Sequence, residues 1–276
     1  NAEPERAVCG THCHSCRVGR HFLASRGISP AISGSPRWAV RGVSQPTTCS
    51  GRLVLVRHGQ GSLGTDDYDR LSEIGWQQSE ALGQRLKSDY GSFETVWLGS
   101  LKRHHQTVEG LGIRANRVVE SDLDEYTVHE LIMAALDQAN SLGLSVPDDS
   151  AFDNPKDYLQ TFLAWFPEVL SHWQSGGLSC EHNGLWSAFF ERVTRPLLDW
   201  LPRVRSGETV VAITSAGVIS TMASHALNHP LSWQRECNVT LYNASVTELS
   251  LTDDQWQLQT LNCIEHLQDP NHQTLA

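Results

Sequence analysis

The chain has 276 residues, 39% of them hydrophobic, which is enough apolar material for one large domain or two small ones. Its 21 Lys and Arg against 31 Asp and Glu leave a formal charge of −10. That argues against a nucleic-acid partner, because neutralising a phosphate backbone requires a basic face. No apolar run approaches the roughly 18 to 20 residues that cross a bilayer, so no membrane partner is expected either.

The charge is uneven. Residues 1–51 carry six Arg against Glu3 and Glu5, leaving −14 on residues 52–276. This stretch is rich in Ser, Gly and Arg, has no helical or strand periodicity, and is expected to be a low-complexity, disordered tail with its boundary near Cys49 to Arg52. In it Cys9, Cys13 and Cys16 lie among His12, His14 and His21, all zinc-ligand types, but no second ligand pair follows at the usual spacing, and the expectation is no metal site. An Arg-rich, acid-poor tail also fits an organelle transit segment. The scattered Cys180, Cys237 and Cys263 fit a reduced, cytoplasmic protein, so the cytoplasm is the expected location and an organelle the alternative.

From residue 52 onward, strands alternate with helices. RLVLVR (52–57) is a continuous branched-apolar run, the pattern of a strand buried on both faces. A helix starts at Ser72-Glu73 with Ile74, Trp76, Leu82 and Leu86 on its apolar face. ETVWLGS (94–100) is a second strand, LKRHHQTVEGLG (101–112) a helix stopped by its glycines, and RVVES (117–121) a short third strand. Residues 126–205 are expected to be mostly helical, broken at Pro147, Pro155, Pro167 and Pro196, with Met133 in the core. ETVVAIT (208–214) is another strand, followed by a helix through Leu227, and NVTLYNASVTELSL (238–251) pairs with QWQLQTLN (255–262) as a hairpin. Trp97, Trp165, Trp173, Trp186 and Trp200 read as core or pocket wall rather than a base-stacking platform.

Alternating strands and helices imply a three-layer α/β/α sandwich around a mixed, mainly parallel sheet, with the region 126–205 inserted as a helical lid. Ligands bind such sheets at the carboxyl ends of the strands. Arg57-His58-Gly59 sits at one such end and Thr214-Ser215-Ala216-Gly217 at another. A neutral imidazole can attack phosphorus, a neighbouring guanidinium matches phosphoryl oxygens, and Gly lets backbone come close to a ligand. Taken alone, those three residues fit a strand-capping His beside a surface Arg better. Arg103, with Ser100, Gln106 and Thr107, opens the second helix, and a helix amino terminus carrying an Arg is suited to an anion. Neither a P-loop, a dinucleotide fingerprint nor a G-x-S-x-G elbow around Ser215 is present.

LVLVRHGQ (53–60), SLKRHHQT (100–107), LDEYTVHE (123–130), TVVAITSAGVIS (209–220) and the terminal hairpin together resemble the histidine phosphatase superfamily, also called phosphoglycerate mutase-like, over roughly residues 52–268. The resemblance implies a phosphate monoester hydrolase acting on a small phosphorylated metabolite through a phosphohistidine. It makes His58 the nucleophile, Arg57 and Arg103 the phosphoryl clamp, and Glu125 the acid and then base, with Asp122, Asp124 and Glu130 as nearby alternatives. Gly59, Gln60, Ser215 and Ala216 fall at substrate-binding positions. No cofactor is implied, and no metal, because the arginines take a cation's place; oligomeric state is left open. Phosphoglycerate mutase-like transfer is the second reading, weakened because Gln60-Gly61-Ser62-Leu63 replaces the Glu-Ser that usually follows Arg-His-Gly in mutases.

One position departs from the family's pattern. Ser215 stands where a second active-site His usually follows the late strand, and Ala216 stands where Gly does. A hydroxyl donates one hydrogen bond and carries no charge. Three outcomes follow: a site that works with a weaker clamp, a compensating His such as His104, His105 or His182, or an impaired domain that only binds phosphorylated ligands. Restoring His at 215 is expected to raise turnover in the first case.

Overall fold

The structure, a computed structural model, describes residues 51–62, 69–148 and 155–275, with side chains of 155–158 excepted. The Cys/His run and the rest of the expected tail, apart from Gly51, lie outside the described residues. Six strands form one sheet: β1 (Arg52–Arg57), β2 (Thr95–Leu98), β3 (Asn116–Val119), β4 (Thr209–Thr214), β5 (Val246–Thr252) and β6 (Gln255–Cys263), in the order β3-β2-β4-β1-β5-β6. The neighbours β3-β2, β2-β4 and β4-β1 are parallel, and β5 runs antiparallel to both β1 and β6. The sheet is mixed and mainly parallel, as the alternation of elements predicts.

β1 occupies the middle of this order, which explains its unbroken apolar run. Leu53 and Leu55 join one core while Val54 and Val56 join the other, and all four are fully buried. The second core is closed by α1 (Glu73–Tyr90) through Leu82 and Leu86 and by α2 (Lys102–Gly110) through Val108. The first is closed by α3 (Val128–Leu142), α4 (Pro155–Gln174), α5 (Trp186–Thr194), α6 (Pro196–Arg205) and α7 (Ala216–Ala226), and includes Leu131, Phe166, Val193, Trp200 and Met222. All five expected tryptophans are buried here, with Trp173 and Trp186 in an edge contact at 5.1 Å. β6 follows β5 through Asp253 and Asp254, whose φ values of 50° and 61° make the two-residue turn that a right-twisted hairpin favours.

Four expectations change. Pro167 lies inside α4 instead of ending it, because Trp165, Phe166, Val169 and Leu170 around it are buried and hold the helix across the missing donor. Residues 238–240, expected to begin a strand, end a further helix, α8 (Leu231–Thr240), whose Gln234, Cys237 and Asn238 face inward, so β5 starts only at Val246. Met133 is 52% exposed: the buried face of α3 runs through Leu131, Ala135 and Ala139, and Met133 points elsewhere. Finally, α5 and α6 cover the sheet with the first core, and within 126–205 it is the start of α3 and α4 that stand over the strand ends.

Candidate active site

The adjacent parallel strands β2, β4 and β1 end on the same side, and the chain leaves them as Gly99-Ser100, Thr214-Ser215 and Arg57-His58. His58 is 4% exposed, and its main chain is pinned on both sides: its N–H donates to Thr214 O at 2.9 Å, and Ala244 N donates to its carbonyl at 3.1 Å. Its Nδ1 lies 2.7 Å from its neighbour's carbonyl, Gly59 O, and must donate there, which leaves the Nε2 lone pair exposed on the other side of the ring. Burial, then the charges of Arg103 and Arg57 and the neighbouring His104, hold its pKa well below the usual imidazole value. The ring is therefore neutral and its Nε2 is nucleophilic.

Arg103 Nε donates to that Nε2 at 3.1 Å. The guanidinium is oriented from behind by Asp69, which accepts from Arg103 Nη1 at 2.6 Å through one oxygen and from Lys102 N at 2.8 Å through the other. One carboxylate thus aims Arg103 and caps the amino terminus of α2. Ser100, just before the same helix, does not supply that cap, because its amide and hydroxyl both donate to Asp124. Nothing in the sequence around Asp69 marks it for this role, since the chain between it and His58 carries no periodicity. Arg57 extends from the end of β1 and donates from Nη1 to Leu241 O.

Glu125 reaches the same place from the turn after β3. Its Oε2 accepts from Gly217 N at 2.8 Å, in the first turn of α7, and Oε1 from Tyr126 N at 3.2 Å. Burial pushes its pKa up, and these amides with the Arg103 and Arg57 charges offset only part of that rise. Gly217 is required by the approach: a Cβ there would lie 2.3 Å from Glu125 Oε1. The three alternative carboxylates are committed elsewhere. Asp122 is clamped by Arg195, Asp124 holds Ser100, and Glu130 accepts from the amides of His182 and Asn183 at 2.6 and 2.8 Å. Arg192, also unmarked in the sequence, donates to the carbonyls of Ser121, Asp122 and Asp124 and so sets the path of the chain into Glu125.

Ser215 is 1% exposed, and its Oγ lies 2.8 Å from His104 Nε2. His104 is fully buried on α2, its ring centroid 5.6 Å from that of His58. Burial, then Arg103 and His105, hold it neutral. A backbone hydrogen bond to Gly99 works against that depression of its pKa, and Nδ1 stands 3.9 Å from Asp124 Oδ1. Of the three histidines considered from sequence, His104 is the one beside Ser215; His182 is 80% exposed in its side chain and pairs with Glu130.

A cavity of about 520 Å³ is lined by Arg57, His58, Arg103, Glu125, Ser215 and Ala216 together. Gly59 and Gln60 do not line it. The amide of Gly59 donates to Thr107 Oγ1 at 3.0 Å, and an added Cβ would lie 2.5 Å from Gly75 O, so this glycine lets α1 rather than a ligand approach. Gln60 faces the start of α1: its amide donates to Gln78 Oε1 and its own Oε1 accepts from Ser72 Oγ, both at 2.8 Å.

The model of the histidine phosphatase superfamily (branch 1) matches residues 53–138 and 157–264 of this chain. The chain belongs to the histidine phosphatase superfamily. Solved structures of similar fold include the mycobacterial glucosyl-3-phosphoglycerate phosphatase in complex with VO3, at 22% identity and a TM-score of 0.52, covering 78% of this chain and all of that one. A phosphoserine phosphatase of Entamoeba histolytica is 17% identical with a TM-score of 0.52, over 79% and 99% of the two chains. YhfR of Bacillus stearothermophilus is 18% identical with a TM-score of 0.53, over 79% and 100%. No curated protein matches the sequence. No helix of its described residues is long and apolar enough to cross a membrane.

Proposed function

We propose that this histidine phosphatase hydrolyses phosphate monoesters through a phosphohistidine formed on His58. The observation that carries the reading is the convergence of a neutral His58, Arg57, Arg103 and Glu125 on one cavity from three separate stretches of chain. The Nε2 lone pair of His58 attacks phosphorus, and Arg103, already 3.1 Å from that nitrogen, turns its donors to the phosphoryl oxygens beside Arg57. The P–O bond to the leaving group breaks, and the carboxyl of Glu125 gives that oxygen a proton. In the second step Glu125 takes a proton from water, the water oxygen bonds to phosphorus and the P–N bond breaks, returning His58 to its neutral form. Two fixed guanidinium charges do the work of a metal ion here, so turnover proceeds without one.

Ser215 supplies a further donor. In this reading His104 carries its proton on Nε2 and donates it to Ser215 Oγ. The Ser215 hydroxyl hydrogen is then turned into the cavity toward a phosphoryl oxygen. Acid-quenched turnover with a labelled substrate tests the scheme: an acid-labile phosphoenzyme is expected with the native protein, and its persistence in His58→Ala would refute it.

A further inference from the structure

We infer that the alcohol half of the substrate is apolar, an alkyl or aryl group, and that the cavity selects for it; this rests on the phosphatase reading above. The floor holds the charge: among the described residues lining the cavity, Arg57 and Arg103 are the arginines, and no lysine is present. Above that floor the character changes. Ile132 of α3, Leu159, Phe162 and Leu163 of α4, Val239 of α8 and Leu275 near the end of the chain form the wall, and each keeps part of its surface uncovered. Phe162 and Phe166 stack at 4.8 Å and present a flat apolar surface.

Polar groups near that wall are largely committed to the protein. Asn238 Nδ2 donates to Tyr126 Oη at 3.0 Å, so the amide and the phenol answer one another. The main chain of Thr127 is held from both sides by Asn183, at 2.7 and 2.9 Å. The Glu125 oxygens accept from Gly217 and Tyr126. What remains is Asn238 Oδ1, the Tyr126 hydroxyl hydrogen, and the Thr127 and His129 side chains, the last two exposed at the rim. A substrate with a carboxylate, a second phosphate or a row of hydroxyls would lose its hydration against this wall and find few groups to replace it. An alkyl chain or aryl ring would instead cover apolar surface at a gain of about fourfold in affinity per buried methylene. A cavity of 520 Å³ also lies within the range that holds a ligand well beyond a bare phosphate.

The test is a homologous series of methyl, butyl, hexyl and octyl phosphate, with phenyl phosphate, and glycerol phosphate and phosphoserine as polar comparisons. Both kcat/KM and Kd by calorimetry are measured on the full chain. The expected result is a rise of at least tenfold from methyl to hexyl phosphate in both quantities, with the polar esters at or below methyl phosphate. Phe162→Asn is expected to shrink the hexyl-to-methyl ratio severalfold. A flat series, or a preference for the polar esters, overturns the proposal while leaving hydrolysis itself intact. Hydrolysis of none of the esters would instead sink the phosphatase reading, and the Kd series would still decide whether the wall selects apolar groups.

Discussion

Ser215 Oγ and His104 Nε2 lie 2.8 Å apart with neither side chain more than 1% exposed, which puts an imidazole behind the serine rather than at its position. Ser215→Ala is expected to lower kcat on the order of 100-fold, the cost of one preorganised donor. His104 acts through Ser215, so His104→Ala should cost less in the native background and add little to Ser215→Ala. A double-mutant cycle in kcat and KM checks this, and fully additive losses would show that the two side chains act separately.

Placing an imidazole at position 215 directly is expected to fail. Ser215→His on its own forces a second ring against His104 in a closed site, an overpacking that typically costs about 1 to 3 kcal/mol. Its melting temperature should fall and turnover should not rise. His104→Ala combined with Ser215→His makes room, and this pair should recover both. Thermal denaturation and turnover of the two proteins side by side give the answer.

The proposed scheme requires His58 unprotonated and Glu125 protonated, and their pKa values are displaced in opposite directions, His58 downward and Glu125 upward, each chiefly by burial. The kcat/KM profile should therefore show a plateau in mildly acidic solution, bounded below by His58 and above by Glu125. Glu125→Gln should remove the alkaline limb along with most of the rate.

The same displacements act on stability. His58 and His104 have folded pKa values below their unfolded ones, so the unfolded chain binds more protons and stability falls as pH drops below the ordinary imidazole range near 6.5. For Glu125 the folded value is the higher one, so stability falls as pH rises through it. Glu125→Gln keeps an acceptor for Gly217 N without the buried charge and should melt higher than the native protein at neutral pH. A lower melting temperature at that pH would show that the carboxylate is not strained there.

Asp69 both caps α2 and aims Arg103. Asp69→Asn retains a cap acceptor but loses the ion pair, whereas Asp69→Ala loses both. The first should raise KM and lower kcat severalfold with little change in melting temperature, and the second should in addition cost about 1 kcal/mol of stability. Steady-state kinetics with denaturant titration separates the two effects.

How far the sequence could be read depended on how local each determinant is. β1 was legible because a strand buried on both faces must be apolar throughout, and α1 because Ser72 accepts from Gly75 N as a capping serine should. The family resemblance was what placed His58, Arg57, Arg103 and Glu125 at one site in expectation, and all four line one cavity. Pro167 misled because its penalty is local while the burial that overrides it comes from other elements. Residues 238–240 misled because a short apolar-polar run has no preferred period of its own until packing assigns one.

The chain's own order of residues determined a mainly parallel sheet, the strand ends at which a site forms, and the chemical types gathered there. Only the tertiary structure decided which groups meet: that His104 stands behind Ser215, that Asp69 rather than Ser100 serves α2, that Gly59 makes room for a helix, and that the wall above the arginines is apolar. The division has a physical cause. Periodicity and capping are written within a few residues, but the sequence separation of 111 from His104 to Ser215 is spanned only by packing, and a hydrogen bond across such a separation leaves no mark in the sequence on either side of it.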